Sequence, residues 1–250
     1  MTATIIAAIT FACAFGCALV GSFLRDRLPP PHLSRESQDV VRLGMGLVAT
    51  MTALLLGLVT VAVRNGYDAQ DNAIKTSAVN LLTLDRHLAR YGEATRPTRQ
   101  LLRAAVEYRL KTTWPDEGGG GVSATLPIAA IEDIQNQMLA LSPQTDTERF
   151  FKTEALKLSE DVMKARWRLL AIGSSIPRGI LAVVIFWLAV TFASFGLYAP
   201  RNATVVGVLL IAALSVALAM FLIVELDGPY DGFIKVSSSP IRFALDNFGK

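Results

Sequence analysis

The chain of 250 residues is 52% hydrophobic, has a mean hydropathy of +0.43 and carries only 18% charged residues, which is too apolar for a soluble domain of this length and points to a membrane class. Its net charge of +3 comes from basic residues scattered among acids, so it lacks the clustered basic footprint of a nucleic-acid binder. Two cysteines, Cys13 and Cys17, with no second pair elsewhere, exclude a disulfide or zinc framework and read as small packing residues.

Four stretches are long enough to cross a hydrocarbon layer of roughly 30 Å at about 1.5 Å per residue: residues 4–24, 43–63, 180–198 and 204–224. The first lacks the basic n-region of a secretory leader, so it reads as a retained span. Span one carries a small-residue stripe, Thr10, Cys13, Cys17 and Gly21, and span three places Trp187, Thr191, Ser194 and Tyr198 on one face. Both read as packing faces. The second span is followed by a polar region of helical periodicity, residues 65–177. Ile74, Ala78, Leu81, Leu84, Leu88 and Tyr91 recur at steps of three and four, which predicts that the second membrane helix continues into water, with Asn65 and Gly66 as places to bend.

Gly92 is the expected terminator of that helix, and a second polar helix is expected from near Pro97 to the Gly-rich loop at 113–121. That loop is not a phosphate cradle, because no GK[ST] follows it and no strand precedes it. A third helix is predicted over 127–141, and a fourth from Ser142 or the Thr145 and Glu148 capping box onward. Beyond the fourth span come an acidic turn, a short strand over "FIKVS", and a last turn or two of helix capped by Ser239 and opened by Pro240. Ile241, Ala244, Leu245 and Phe248 share one face there, which predicts an interfacial helix. The predicted fold is an oligomeric all-α membrane protein, with four spans arranged two and two around a helical extramembrane domain. Its segments are 1–64, 65–177, 178–225 and 226–250.

An even number of spans puts both termini on the side of the central domain. Basic residues lean to that side: Arg64, Lys75, Lys164, Arg166, Arg168, Lys235, Arg242 and Lys250, against Arg25, Arg27, Arg35, Arg42 and Arg201. The positive-inside rule therefore predicts cytoplasmic termini and a cytoplasmic helical domain.

Two groups of residues are candidate sites. On span two, Gly46, Thr50, Ala53, Gly57, Thr60 and Arg64 form a stripe of small or weakly polar residues ending in a cation. It reads either as a helix-packing face or as a pore lining in a ring of subunits. At the end of span four, Glu225, Asp227 and Asp231 sit where the helix dipole is unfavourable to acids. They call either for basic partners, with Arg64, Arg166, Arg168 and Arg178 the candidates at that interface, or for a divalent cation. The spacing does not match an EF-hand loop, and no metal ligand set is assigned. His32 and His87 lack ligand companions, no nucleophile elbow, zinc-protease or Walker pattern occurs, and the chain reads as no enzyme. No span holds a deep ionisable group, which argues against an ion-coupled transporter.

Two spans, a helical domain and two spans, with "SRESQDVVRLGMGLVATMTALLLGLV" and the tail "ELDGPYDGFIKVSSSPIRFAL", resemble the bacterial membrane family described as bestrophin-like. The resemblance implies kinship with bestrophins, which are pentameric anion channels with cytoplasmic termini and a pore lined by the second membrane helix. It implies a bacterial inner-membrane location, a homo-oligomer passing small inorganic ions through the bilayer, and a conduction path along Gly46, Thr50, Ala53, Gly57 and Thr60. The chain departs from bestrophins in having no aromatic residue in the second span and fewer acids in the tail. The alternative class is a non-conducting scaffold or sensor whose helical domain binds a partner.

Overall fold

The computed structural model describes residues 3–29, 34–114, 126–171, 176–200, 202–228, 230 and 232–250. Among them every regular element is helical: α1 Ala3–Leu24, α2 Arg35–Tyr91, α3 Arg96–Thr113, α4 Ile128–Ala140, α5 Asp146–Ala171, α6 Arg178–Tyr198, α7 Ala203–Leu226 and α8 Ser239–Asp246. Four helices, α1, α2, α6 and α7, are long and apolar enough to cross a membrane. The chain forms two compact units, one of Met1–Gly66 with Ser174–Gly228 and one of Tyr67–Gly173 with Pro229–Lys250.

In the first unit α1 packs chiefly on α6 and then on α7. Ile6 clusters with Val184, Leu188 and Met220, and further along Ala14 and Ala18 cluster with Phe192 and Ala213. Residue numbers on α1 and α6 thus rise together while those on α7 fall, so α1 runs parallel to α6 and antiparallel to α7. Small residues let backbones approach where lipid offers no hydrophobic drive. A Cβ on Gly21 would strike the carbonyl of Ala193, and one on Gly196 the carbonyl of Ala18. Arg25 Nη1 closes the far end by donating to the carbonyl of Ala199.

The packing stripe of α1 is Thr10, Ala14, Ala18 and Gly21, all buried, whereas Cys13 and Cys17 are free thiols at half-buried positions beside it. The sequence reading is therefore right about Thr10 and Gly21 and one step off for the cysteines. On α6 Thr191 is buried, while Trp187, Ser194 and Tyr198 are half-buried; Val184, Leu188 and Phe192 fill most of the contact.

α2 remains helical through Asn65 and Gly66, because neither residue meets a competing cap or a proline there. Gly92 ends it with φ of 123°, a conformation only glycine adopts freely. A 3-10 turn at Glu93–Thr95 follows, and the Thr95 hydroxyl donates to the carbonyls of Leu88 and Gly92. Pro97 sits in the first turn of α3, where its missing N–H costs nothing. α5 opens at the expected Thr145 cap, whose hydroxyl accepts from Glu148 N–H at 3.1 Å, while Glu148 Oε2 reaches one residue beyond the cap and accepts from Gln144 N–H at 2.7 Å.

The second unit has one core. Ile74, Leu81, Leu84 and Leu88 of α2 meet Leu102 and Val106 of α3, Ile131, Ile134 and Met138 of α4, and Ala155 and Val162 of α5. Each large side chain so buried is worth about 1.5–3 kcal/mol. Two expectations for the tail change here. No strand forms over "FIKVS", since no second strand occurs among the described residues to pair with it. The carbonyls of Lys235 and Val236 accept instead from Tyr67 Oη at 3.1 Å and Trp114 Nε1 at 2.7 Å. The final helix also does not keep its apolar face for a membrane interface: Ile241, Ala244 and Phe248 are buried in this core. Its N-cap is Ser238, one residue earlier than expected, and Ser238 Oγ accepts from Arg242 Nε at 3.1 Å.

Candidate functional site

The sequence stripe on α2 is uncovered along its whole length. Gly46, Thr50, Ala53, Gly57, Thr60 and Arg64 are all exposed, and nothing lies within 4 Å of where a Cβ would stand on Gly46 or Gly57. The face that α2 does commit to its own chain is a different one. Thr52 and Val63 are buried, and Leu55 and Leu56 pack against the Ile6 cluster. α2 buries 11% of its apolar window against 22–28% for the other spans, so it is the span least satisfied by this chain.

The exposed surface of α2 is itself divided. At about 100° per residue, the small stripe adjoins a strip of large apolar side chains, Leu43, Leu47, Leu54, Leu58 and Val61, all more than half exposed. Large aliphatic side chains suit acyl chains, and small or hydroxylated ones suit helix contact or water. Thr50 Oγ1 donates to the carbonyl of Gly46 at 2.8 Å and Thr60 Oγ1 to that of Leu56 at 2.7 Å. Each hydroxyl proton is thus used on the helix's own backbone, leaving the oxygen lone pairs to face outward. These threonines soften the face without supplying positive charge. Arg64, at the end of the stripe, supplies it.

The acidic turn is built by the end of α7. Glu225 is buried at 6% exposure and Asp227 is half-buried. The N–H groups of Asp227 and Gly228 both point to the Glu225 carbonyl, taking up part of the helix's carbonyl end. Asp231 lies outside the described residues, as do His32 and the side chain of Arg178. Glu225, Asp227 and Arg64 belong to the first unit, whereas Arg166 and Arg168 belong to the second. Arg166 is half-buried and its Nη1 donates to the carbonyl of Leu126, while Arg168 is exposed. No cluster of three or more His, Cys, Asp or Glu that suits a metal occurs among the described residues. His87 packs against Phe151, with ring centres 5.6 Å apart and the planes tilted by 41°.

Two buried polar centres in the second unit escape the sequence reading. Asp85, 2% exposed, accepts from Arg99 Nε at 2.9 Å and Nη2 at 3.2 Å, and from the Gly249 N–H at 3.0 Å. The hydrogen bond to Asp85 raises the pKa of Arg99. Arg109, also 2% exposed, donates to Ser77 Oγ at 2.8 Å. Burial pushes its pKa down to about 10, opposed by the phenol of Tyr230, and leaves it protonated at neutral pH. Burial in turn pushes Tyr230 up. The signal was present: Leu102, Ala105, Val106 and Arg109 follow steps of three and four, which places the arginine on the apolar face of α3.

The chain matches the Bestrophin-like domain family over residues 12–241. No curated protein and no solved structure matches it. The matched segment takes in α1 from residue 12 onward, all of α2, α6 and α7, the α2 stripe, most of the helical unit and the acidic turn. With nearly its whole length inside that match, the protein belongs to the bestrophin-like family of membrane proteins.

Proposed function

We propose that the protein is a homo-oligomeric ion channel of the bacterial inner membrane, with anions as the favoured ions and α2 of each subunit turned toward the pore axis. The observation that carries this reading is the division of the exposed α2 surface into a small, hydroxylated strip and a large apolar one. A helix surrounded by lipid has no reason to segregate them. In this arrangement two spans precede and two follow the helical unit, the large strip faces acyl chains or a neighbouring subunit, and Gly46, Thr50, Ala53, Gly57 and Thr60 line the path. Arg64 forms a cationic ring at its mouth, which favours anions. Family kinship supports five subunits, and the distribution of basic residues supports termini and helical unit on the cytoplasmic side. Glu225 and Asp227 steady the end of α7 against Arg64 and Arg178, with a divalent cation as the other occupant of that turn. No catalytic step enters the reading.

Planar-bilayer recording of purified protein tests it. Wild type gives discrete anion-selective currents, and Thr50→Trp, which fills the narrow strip with an indole in every subunit, abolishes them while leaving assembly intact on size-exclusion chromatography. Silence of inserted wild type under all salt gradients overturns the channel. Unchanged conductance in Thr50→Trp removes α2 from the path.

One observation favours the second reading, a non-conducting scaffold or sensor. The second unit carries an open apolar groove of about 450 Å³ between α2 and α8, with Val79 and Phe243 more than 60% exposed on its rim. A silent protein whose in-cell crosslinks from this groove reach another protein supports that reading, and crosslinks to itself alone remove it.

A further inference from the structure

The last turns of α5 carry a feature that the channel reading does not use. Trp167 is 53% exposed, whereas Trp114 is buried and Trp187 half-buried. An exposed indole of that size is costly unless something apolar receives it; Phe150, the other exposed aromatic of α5, stands at 56% near the opposite end of the helix. Of the basic residues near Trp167, Lys164 is already paired with Glu160 and Asp161 at 3.5 Å, and the Arg166 guanidinium lies 6.0 Å from the Trp167 ring while reaching inward to Leu126. Arg168, next to the indole in sequence, is exposed. The acids of α5 stop at Asp161, one turn or more toward its start, and no Asp or Glu follows in the sequence until Glu225. α5 ends at Ala171 and the span α6 begins at Arg178, a connection of roughly 25 Å at full extension. The segment after α7 also exposes an aromatic, Phe233 at 87%, a few residues past the end of a span, though there among acids.

We propose that the end of α5 is a lipid-binding foot: Trp167 lies in the interfacial layer of the membrane, and Arg168 holds the phosphodiester of anionic phospholipids. Indoles favour the headgroup level because their ring is apolar and their N–H polar, and each basic residue near an anionic leaflet adds a separate attraction. The inference rests on the membrane residence of the chain and not on conduction, so a silent protein leaves it standing.

The test uses full-length protein in nanodiscs of phosphatidylcholine with or without phosphatidylglycerol, carrying spin-labelled lipids. The fluorescence of wild type minus that of Trp167→Phe isolates the Trp167 signal. That signal is expected to be quenched more by a label near the glycerol than by one at the acyl terminus. Labelled phosphatidylglycerol is expected to quench it more than labelled phosphatidylcholine, and Arg168→Gln to cut that preference about fivefold, with Arg168→Lys keeping it and circular dichroism confirming the fold of both. A Trp167 signal indifferent to every labelled lipid overturns the foot. Equal quenching by the two headgroups overturns the anionic preference. Competition by millimolar glycerol phosphate, at constant ionic strength, assigns the site to a free phosphate and overturns the lipid.

Discussion

Gly196 and Ala18 show what single atoms decide in this protein. The α6 backbone touches that of α1 at Gly196, and the reciprocal contact is made by Gly21 against Ala193. Because the obstruction is backbone, no side chain can swing aside to admit a Cβ. Gly196→Leu is therefore expected to lower stability by about 3 kcal/mol or more, at or above the usual overpacking range, read as a fall in the thermal midpoint in detergent. Gly207→Leu, with open space around it on α7, is the control and should change little. The sequence marked Gly21 for close packing but assigned Cys13 and Cys17 to the same seam in place of Ala14 and Ala18. Both pairs keep helical spacing and both are small, so spacing alone did not separate them. The partner helix chose.

At the scale of elements, the end of α2 and the starts of α3 and α5 were legible because each rests on local chemistry: the positive φ of Gly92, the proline in the first turn of α3, and the Thr145 cap. The tail was not legible, because its fate is set by residues far along the chain. Val236 is 1% exposed and its carbonyl is held by Trp114, and Asp85 on α2 joins Arg99 of α3 to the Gly249 N–H. Asp85→Ala removes that junction. Its cost is expected at about 2–4 kcal/mol, on the low side of a broken buried pair because Arg99 stays in contact with water at 26% exposure. Denaturant titration measures the loss, and amide exchange at residues 244–249 should rise with it. Faster exchange in α4 instead would place the clasp elsewhere.

For the molecule as a whole, what conducts depends on which face of α2 the assembly encloses. If Arg64 forms the cationic ring proposed above, Arg64→Glu replaces one charge by its opposite in every subunit. The reversal potential under a KCl gradient is then expected to move from the chloride side toward the potassium side, with single-channel conductance retained. A reversal potential that does not move takes Arg64 out of the permeation path. The sequence showed the stripe and its charge because both lie on one continuous helix. It left open what covers the stripe, since small residues serve contact between helices and contact with water alike, and the isolated chain leaves that face bare.

The discontinuous make-up of the second unit bears on how the protein is made. Ile241, Ala244 and Phe248 close a core whose other walls are α2 to α5, and α6 and α7 lie between those walls and the closing piece in chain order. A nascent chain must therefore pass its last two apolar helices to the insertion machinery while the helical unit is still open. That unit can close only after residue 248 has emerged from the ribosome, so its assembly has to wait for insertion to finish.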